Sequence, residues 1–202
     1  MLSFVDSSVY NTAMQSNTNQ DRQSLPARER ILLAAHDLFY KEGIRATGID
    51  RIIAEAGVTK VTFYRHFPSK NDLICAFLEY RHQLWMAWFT DALQRHGGDL
   101  KALIPTLAEW FRNGSFRGCA FLNGVGELGG TLPAVVEITR SHKQDMTRAI
   151  SDLLPPSRIC EQYAQAISVA VDGAIVRAQF DETPDAALES LSLVLNLLEK
   201  SL

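Results

Sequence analysis

The sequence predicts an all-α fold, three short helices forming a head on a larger helical body, and three observations carry that expectation. Apolar residues recur at helical spacing from about residue 27 onward, and the breaks between these stretches hold Gly, Pro, Asn or a capping hydroxyl. No stretch competes as a β-strand by alternating apolar and polar residues. With 202 residues, 47% of them hydrophobic, the chain can bury a sizeable core without metal or disulfide staples.

Each element follows from its own residues. Ile31, Leu32, Ala35, Leu38 and Phe39 share one stripe and Gly43 follows where a left-handed cap is wanted, giving a first helix over about 27–42. Thr47 is placed to cap the second helix, with Asp50 in the capping-box position and Ile49, Ile52 and Ile53 on its buried face before Gly57 ends it. Thr59 caps the third. Phe63 and Phe67 lie one turn apart on it and Pro68 stops it. Ser69 with Asp72 opens a fourth helix that meets no breaker before Gly97, and further helices are expected at about 99–113, 119–128, 133–154, 157–180 and 184–199. Residues 1–25, rich in Ser, Asn, Thr and Gln, are expected to form a disordered or loose arm. The expected division is therefore arm 1–25, head 26–75 and body 76–202.

Composition narrows the function. Cys75, Cys119 and Cys160 are far apart and in no CxxC spacing, so neither a zinc site nor a disulfide framework is expected, and a reducing cytoplasm suits them. No apolar run approaches the roughly 18 residues of a membrane span, and no charged-then-apolar leader pattern opens the chain. Charge divides unevenly: residues 26–82 hold nine Lys/Arg against seven Asp/Glu, residues 83–202 ten against fourteen. Only the head suits a polyanion.

Within the head, residues 57–70 (GVTKVTFYRHFPSK) carry three cations, a histidine and a tyrosine but no acid. Helix, a Gly57-Val58-Thr59 turn and a short second helix is the spacing of a helix-turn-helix. If Phe63 and Phe67 face inward, then at about 100° per residue Val61 and Arg65 point away, flanked by Thr62 and Tyr64, then Lys60 and His66. Such a face suits DNA. Arg65 can bond a guanine edge or a phosphate, Val61 can meet a thymine methyl, Thr62, Tyr64 and His66 reach phosphate or base, and Lys60 and Lys70 hold phosphates. Thr59, at the start of this helix, and the helix N-terminus opened by Thr47 complete the candidate DNA-binding set. A solvated basic turn is the plainer reading; the ordered series of cap, Gly turn, cap and aromatic pair argues against it.

These residues also carry a resemblance. The run 28–78, RERILLAAHDLFYKEGIRATGIDRIIAEAGVTKVTFYRHFPSKNDLICAFL, resembles the N-terminal DNA-binding domain of the TetR family of transcriptional regulators in its Gly-x-x-x-Thr, its Ala-Gly-Val turn and its Phe-Tyr-x-x-Phe-x-Ser-Lys ending. The resemblance implies a homodimeric regulator of near-palindromic operator DNA, released by a small effector bound in the C-terminal helices, with Tyr64 and Lys70 on phosphates. Val61 and Arg65 stand where the family often has Gly or Ala, and His.

In the body, large side chains usually mean core, yet a bundle pocket uses the same residues. Candidate ligand-binding residues are His82, Trp85, Met86, Phe89, Trp110, Phe116, Cys119, Phe121, Asn123 and Glu127, which suit a small, mostly apolar effector. The segment 117–130, RGCAFLNGVGELGG, resembles the start of the sixth helix in a TetR-family subgroup. There Cys119, with Arg117 two residues before it, is either a reactive thiolate or plain packing. Gly124, Gly126 and Gly129 spell GxGxxG, with Asp145 beyond, but no strand precedes them, so a dinucleotide-binding oxidoreductase is set aside. The five histidines are scattered and neither HExxH nor GxSxG occurs, so no enzyme, cofactor or metal is expected. A helical interaction module and a catalytic helical protein remain as alternatives to the regulator. Tyr163, Ile167, Ala170 and Ala174 on one helix, with Leu188, Leu191, Leu195 and Leu198 on the next, form apolar stripes expected to dimerise, as the family's four-helix interface does.

Overall fold

The computed structural model describes residues 22–156 and 159–200. The expected arm falls on residues 1–21, outside the described residues, but for its last few; of these, Arg22 is attached, pairing with Asp37 at 2.7 Å. The described elements are helical throughout: α1 (Ala27–Glu42), α2 (Ile49–Ala56), α3 (Lys60–His66), α4 (Lys70–Arg95), a 3-10 turn (Leu100–Ala102), α5 (Leu103–Phe111), α6 (Ala120–Leu128), α7 (Pro133–Ser151), α8 (Cys160–Phe180) and α9 (Asp185–Glu199).

Two compact units divide the chain, and neither follows the expected boundary at 75. The first holds the described residues up to Trp85 together with Ala120–Thr139, so α6 and the start of α7 join the head. Its core contains Ile31, Ala35, Leu38 and Phe39 of α1, Ile52 of α2, Phe63 and Phe67 around α3, and Leu73, Phe77 and Leu78 of α4. Phe39 and Phe77 meet edge-on at 5.4 Å between ring centres. A buried polar chain runs beside them. His36 Nδ1 lies 3.0 Å from Asp37, its Nε2 3.3 Å from Arg81, and Arg81 stacks on the Tyr40 ring at 4.0 Å. An imidazole between a carboxylate and a guanidinium is satisfied only as the neutral Nδ1–H tautomer, donating to Asp37 and accepting from Arg81.

The second unit comprises Met86–Cys119 and the described residues from Arg140 onward. Trp88, Phe89 and Leu93 of α4, Leu103, Leu107, Trp110 and Phe111 of the α5 region, Met146 and Ile150 of α7, and the inner faces of α8 and α9 are buried in it. Helix α9 packs on α8 and on α5. Its inner face corrects the expected dimer stripes. Ile167, Ala174, Leu188, Leu191 and Leu195 are buried within the single chain, and Tyr163, Ala170 and Leu198 are half-buried. These side chains form the unit's own core because they fall on the sides of α8 and α9 that meet each other and α5. The opposite sides leave Val169, Val176 and Phe180 of α8 and Leu193, Val194 and Leu197 of α9 exposed, Phe180 by 64% and Leu193 by 61%.

Candidate nucleic-acid interface

The helix-turn-helix is built as its sequence dictates. Gly57 adopts the left-handed conformation (φ 60°, ψ 43°), and its amide and that of Val58 bond back to the Ala54 and Ile53 carbonyls, ending α2. Thr59 Oγ1 accepts the Thr62 amide at 3.2 Å and so caps α3. Phe63 and Phe67 are buried, and the Arg28 guanidinium covers the Phe67 ring at 5.1 Å. Arg30 of α1 donates to the Gly57 carbonyl at 3.3 Å, tethering the turn. The periodicity of α3 then turns the other side outward: Val61 is 71% exposed and Tyr64 41%, Lys60 and Arg65 are exposed, and Thr62 and His66 are half-buried. The face thus sets an exposed aliphatic side chain beside two exposed cations. Lys60 lies 3.8 Å from Asp50, an exposed pair too weak to hold it from a phosphate.

Two head residues stand differently from expectation. Thr47 does not cap α2: Gly48 occupies the N-cap, and the fully buried Thr47 hydroxyl donates to the Gly43 carbonyl at 2.8 Å and the Leu38 carbonyl at 3.4 Å. With its side chain pinned to the end of α1, Thr47 offers DNA no hydroxyl, and Asp50 makes no capping box. Lys70 turns inward. Its Nζ donates to the Ile44 carbonyl at 2.7 Å, and burial holds its pKa below the ordinary lysine value, partly offset by the Glu127 carboxylate.

The candidate ligand residues divide between the two units. His82, Trp85, Phe121, Asn123 and Glu127 belong to the first unit; Met86, Phe89, Trp110, Phe116 and Cys119 to the second. Trp110 meets Phe116 edge-on at 5.2 Å and Trp88 at 6.3 Å. Glu127 has a structural role instead: its two oxygens accept the amides of Ile44 and Arg45 at 3.2 and 2.8 Å. Cys119 is buried and just precedes α6, while the Arg117 guanidinium bonds the Gly114 and Phe116 carbonyls of its own turn. Gly124 and Gly126 lie inside α6, so the GxGxxG run is helix rather than a phosphate loop. Sequence reasoning missed a polar cleft of about 750 Å³ between α7 and α8, where Thr147 bonds Ser168 at 2.9 Å and Lys143 pairs with Asp172; none of the named ligand residues lines it.

Fold and outward face together define a helix-turn-helix head on a helical body, the plan of a DNA-binding regulator, and comparisons with known proteins agree. Residues 31–77 match a family model described as bacterial regulatory proteins, tetR family. The structure of SCO4454, a TetR-family transcriptional regulator from Streptomyces coelicolor, superposes with a TM-score of 0.77 at 32% identity, covering 87% of this chain and 95% of that one. The chain belongs to the TetR family of transcriptional regulators. The reduced form of Escherichia coli NemR, at 21% identity and a TM-score of 0.72 over 84% of this chain and 96% of its own, shares the fold. Among curated sequences, the transcriptional activator FasR of Mycolicibacterium smegmatis is 42% identical over 67 residues, 32% of this chain and 30% of its own length. The chain thus spans under a third of that relative's length.

Proposed function

We propose that the chain is a homodimeric, sequence-specific repressor that binds near-palindromic operator DNA through α3 and is released by a small, mostly apolar effector. The single observation that carries the DNA reading is the outward face of α3, where Lys60, Val61, Tyr64 and Arg65 are exposed over a buried Phe63–Phe67 anchor. Arg65 and Val61 read base edges, while Lys60, Tyr64, Thr62 and His66 hold phosphates and fix register. A mobility-shift titration with the DNA upstream of the chain's own gene tests this: a shift at lower concentration than with random duplex supports it, and equal affinity for both defeats it.

Dimerisation is proposed through the exposed apolar side of α8 and α9, not the buried stripes. Val169, Val176, Phe180, Leu193, Val194 and Leu197 would pair with their copies in a four-helix seam, burying side chains otherwise left to water. Such a dimer presents two recognition helices to major-groove segments roughly 34–36 Å apart or a multiple of that.

The effector reading is supported by the aromatic cluster of the second unit and by Thr106, fully buried one turn before Trp110 with no hydrogen-bond partner for its hydroxyl. An apolar wall with one unmet polar group is the composition of a small-molecule site. Loss of the shifted band on adding a compound that raises the thermal midpoint of the protein alone is the expected result. The family is one of regulators rather than enzymes, and whether binding represses follows from operator position; FasR is named an activator.

A further inference from the structure

Six residues, 43–48, join α1 to α2, and Ile44 among them is held from several sides. Its amide and that of Arg45 donate to the two Glu127 oxygens at 3.2 and 2.8 Å, and its carbonyl accepts from Lys70 Nζ at 2.7 Å. Its side chain is 3% exposed and lies against Gly124, where a Cβ would come 3.8 Å from Ile44 Cδ1 and 3.9 Å from Leu78 Cδ2. Gly124 and Glu127 are three residues apart and so share a face of α6, one by packing and the other by charge. Gly43 completes the fit with φ 92° and ψ 153°, a conformation open to glycine, and a Cβ there would lie 3.5 Å from Glu127 Oε1.

Glu127 is also badly placed for its own helix. It occupies the last turn of α6, where unpaired carbonyls make the negative end of the helix dipole and an acid is disfavoured. Two charge-assisted bonds to another element offset that penalty, while the neighbouring Lys70 ammonium supplies attraction. From the joint the chain runs directly into α2 and, through the Gly57 turn, into α3.

We propose that Ile44 is a joint by which α6 sets the pose of the recognition helix, with Glu127 as a positioning residue for operator binding. The inference rests on the DNA-binding reading above and names the residue that regulates it. Base readout demands that α3 be held within about 0.5 Å, which an unclamped six-residue loop does not provide.

The test uses the full chain and the same upstream duplex. Glu127→Ala loses roughly tenfold in operator affinity, the worth of one or two charge-assisted bonds, and amide exchange at Ile44 and Arg45 accelerates. Glu127→Gln, keeping one acceptor, falls between. A carboxylate that only stabilises the fold would lower the thermal midpoint and leave the affinity of the folded fraction unchanged. Folded Glu127→Ala with wild-type affinity and exposed loop amides overturns the joint while the DNA reading stands; if that variant does not fold, Glu127→Gln with wild-type affinity and accelerated exchange at Arg45 overturns it equally. A wild-type chain that does not prefer the operator defeats the DNA reading first and the joint with it.

Discussion

At the scale of single residues, the head separates reading from holding. Arg65→Ala is expected to relax base preference at one operator position, costing about 1–3 kcal/mol if the guanidinium meets a guanine edge, as measured by titration against a panel of single-base variants. Lys60→Ala is expected to weaken every sequence alike and to reduce the log–log salt slope by about 0.9, the signature of one lost phosphate contact; an unchanged slope would remove Lys60 from the interface. Lys70→Ala should behave as neither, lowering thermal stability together with affinity, because its ammonium is bonded to the Ile44 carbonyl. The two capping threonines show how far such roles are legible in sequence. Thr59 is read correctly because its acceptor and the Thr62 amide are three residues apart, so local geometry settles the bond. Thr47 is misread because its competing partners, the carbonyls of Gly43 and Leu38, come within reach only once α1 has ended at a glycine with positive φ. Glu127 offered one signal, an acid in the last turn of a helix, but the amides it serves lie more than eighty residues away in the chain.

At the scale of elements, apolar content alone does not say which side of a helix faces in. Helices α8 and α9 carry aliphatic residues on two sides, and the buried set of Ile167, Val171, Ala174, Leu188, Leu191 and Leu195 differs from the exposed set only in what the rest of the fold brings near. The helices themselves were legible, since α1 and α6 fall where their breakers place them; the seam was not. The distinction is testable. Leu193→Glu combined with Leu197→Glu is expected to leave the helical signal intact and convert a dimer to a monomer in sedimentation, whereas Leu191→Glu, which buries a charge, should cost several kcal/mol and unfold the second unit. A double variant that still sediments as the wild type would place the seam elsewhere.

At the scale of the whole molecule, stability should depend on pH through His36. Burial first, and then the Arg81 charge, depress the His36 pKa below its ordinary 6.5 against the opposing pull of Asp37. The unfolded chain therefore takes up a proton near pH 6.5 that the folded one refuses. This contribution is complete above that pH and lost as pH falls below it, so the thermal midpoint should drop between about pH 7.5 and about pH 5.5, and His36→Gln should flatten that limb. Asp37 acts lower on the scale: burial opposes its charge, but the His36 and Arg22 hydrogen bonds hold its carboxyl below the ordinary range, adding a second decline in acid. Effector release is bounded at this scale as well, because a compound preferring one conformation a hundredfold shifts the balance by about 2.7 kcal/mol at most. The three tryptophans give the molecule its own optical gauge. Trp85, Trp88 and Trp110 are each only 3% exposed, and none lies on α3, so aqueous quenchers should barely touch their emission and operator bases cannot stack on them. With Trp88 and Trp110 rings 6.3 Å apart, excitation passes between them, and a change in colour or polarisation of the emitted light would report repacking around the buried indoles, Trp85 in the first unit and the other two in the second, rather than contact at the DNA.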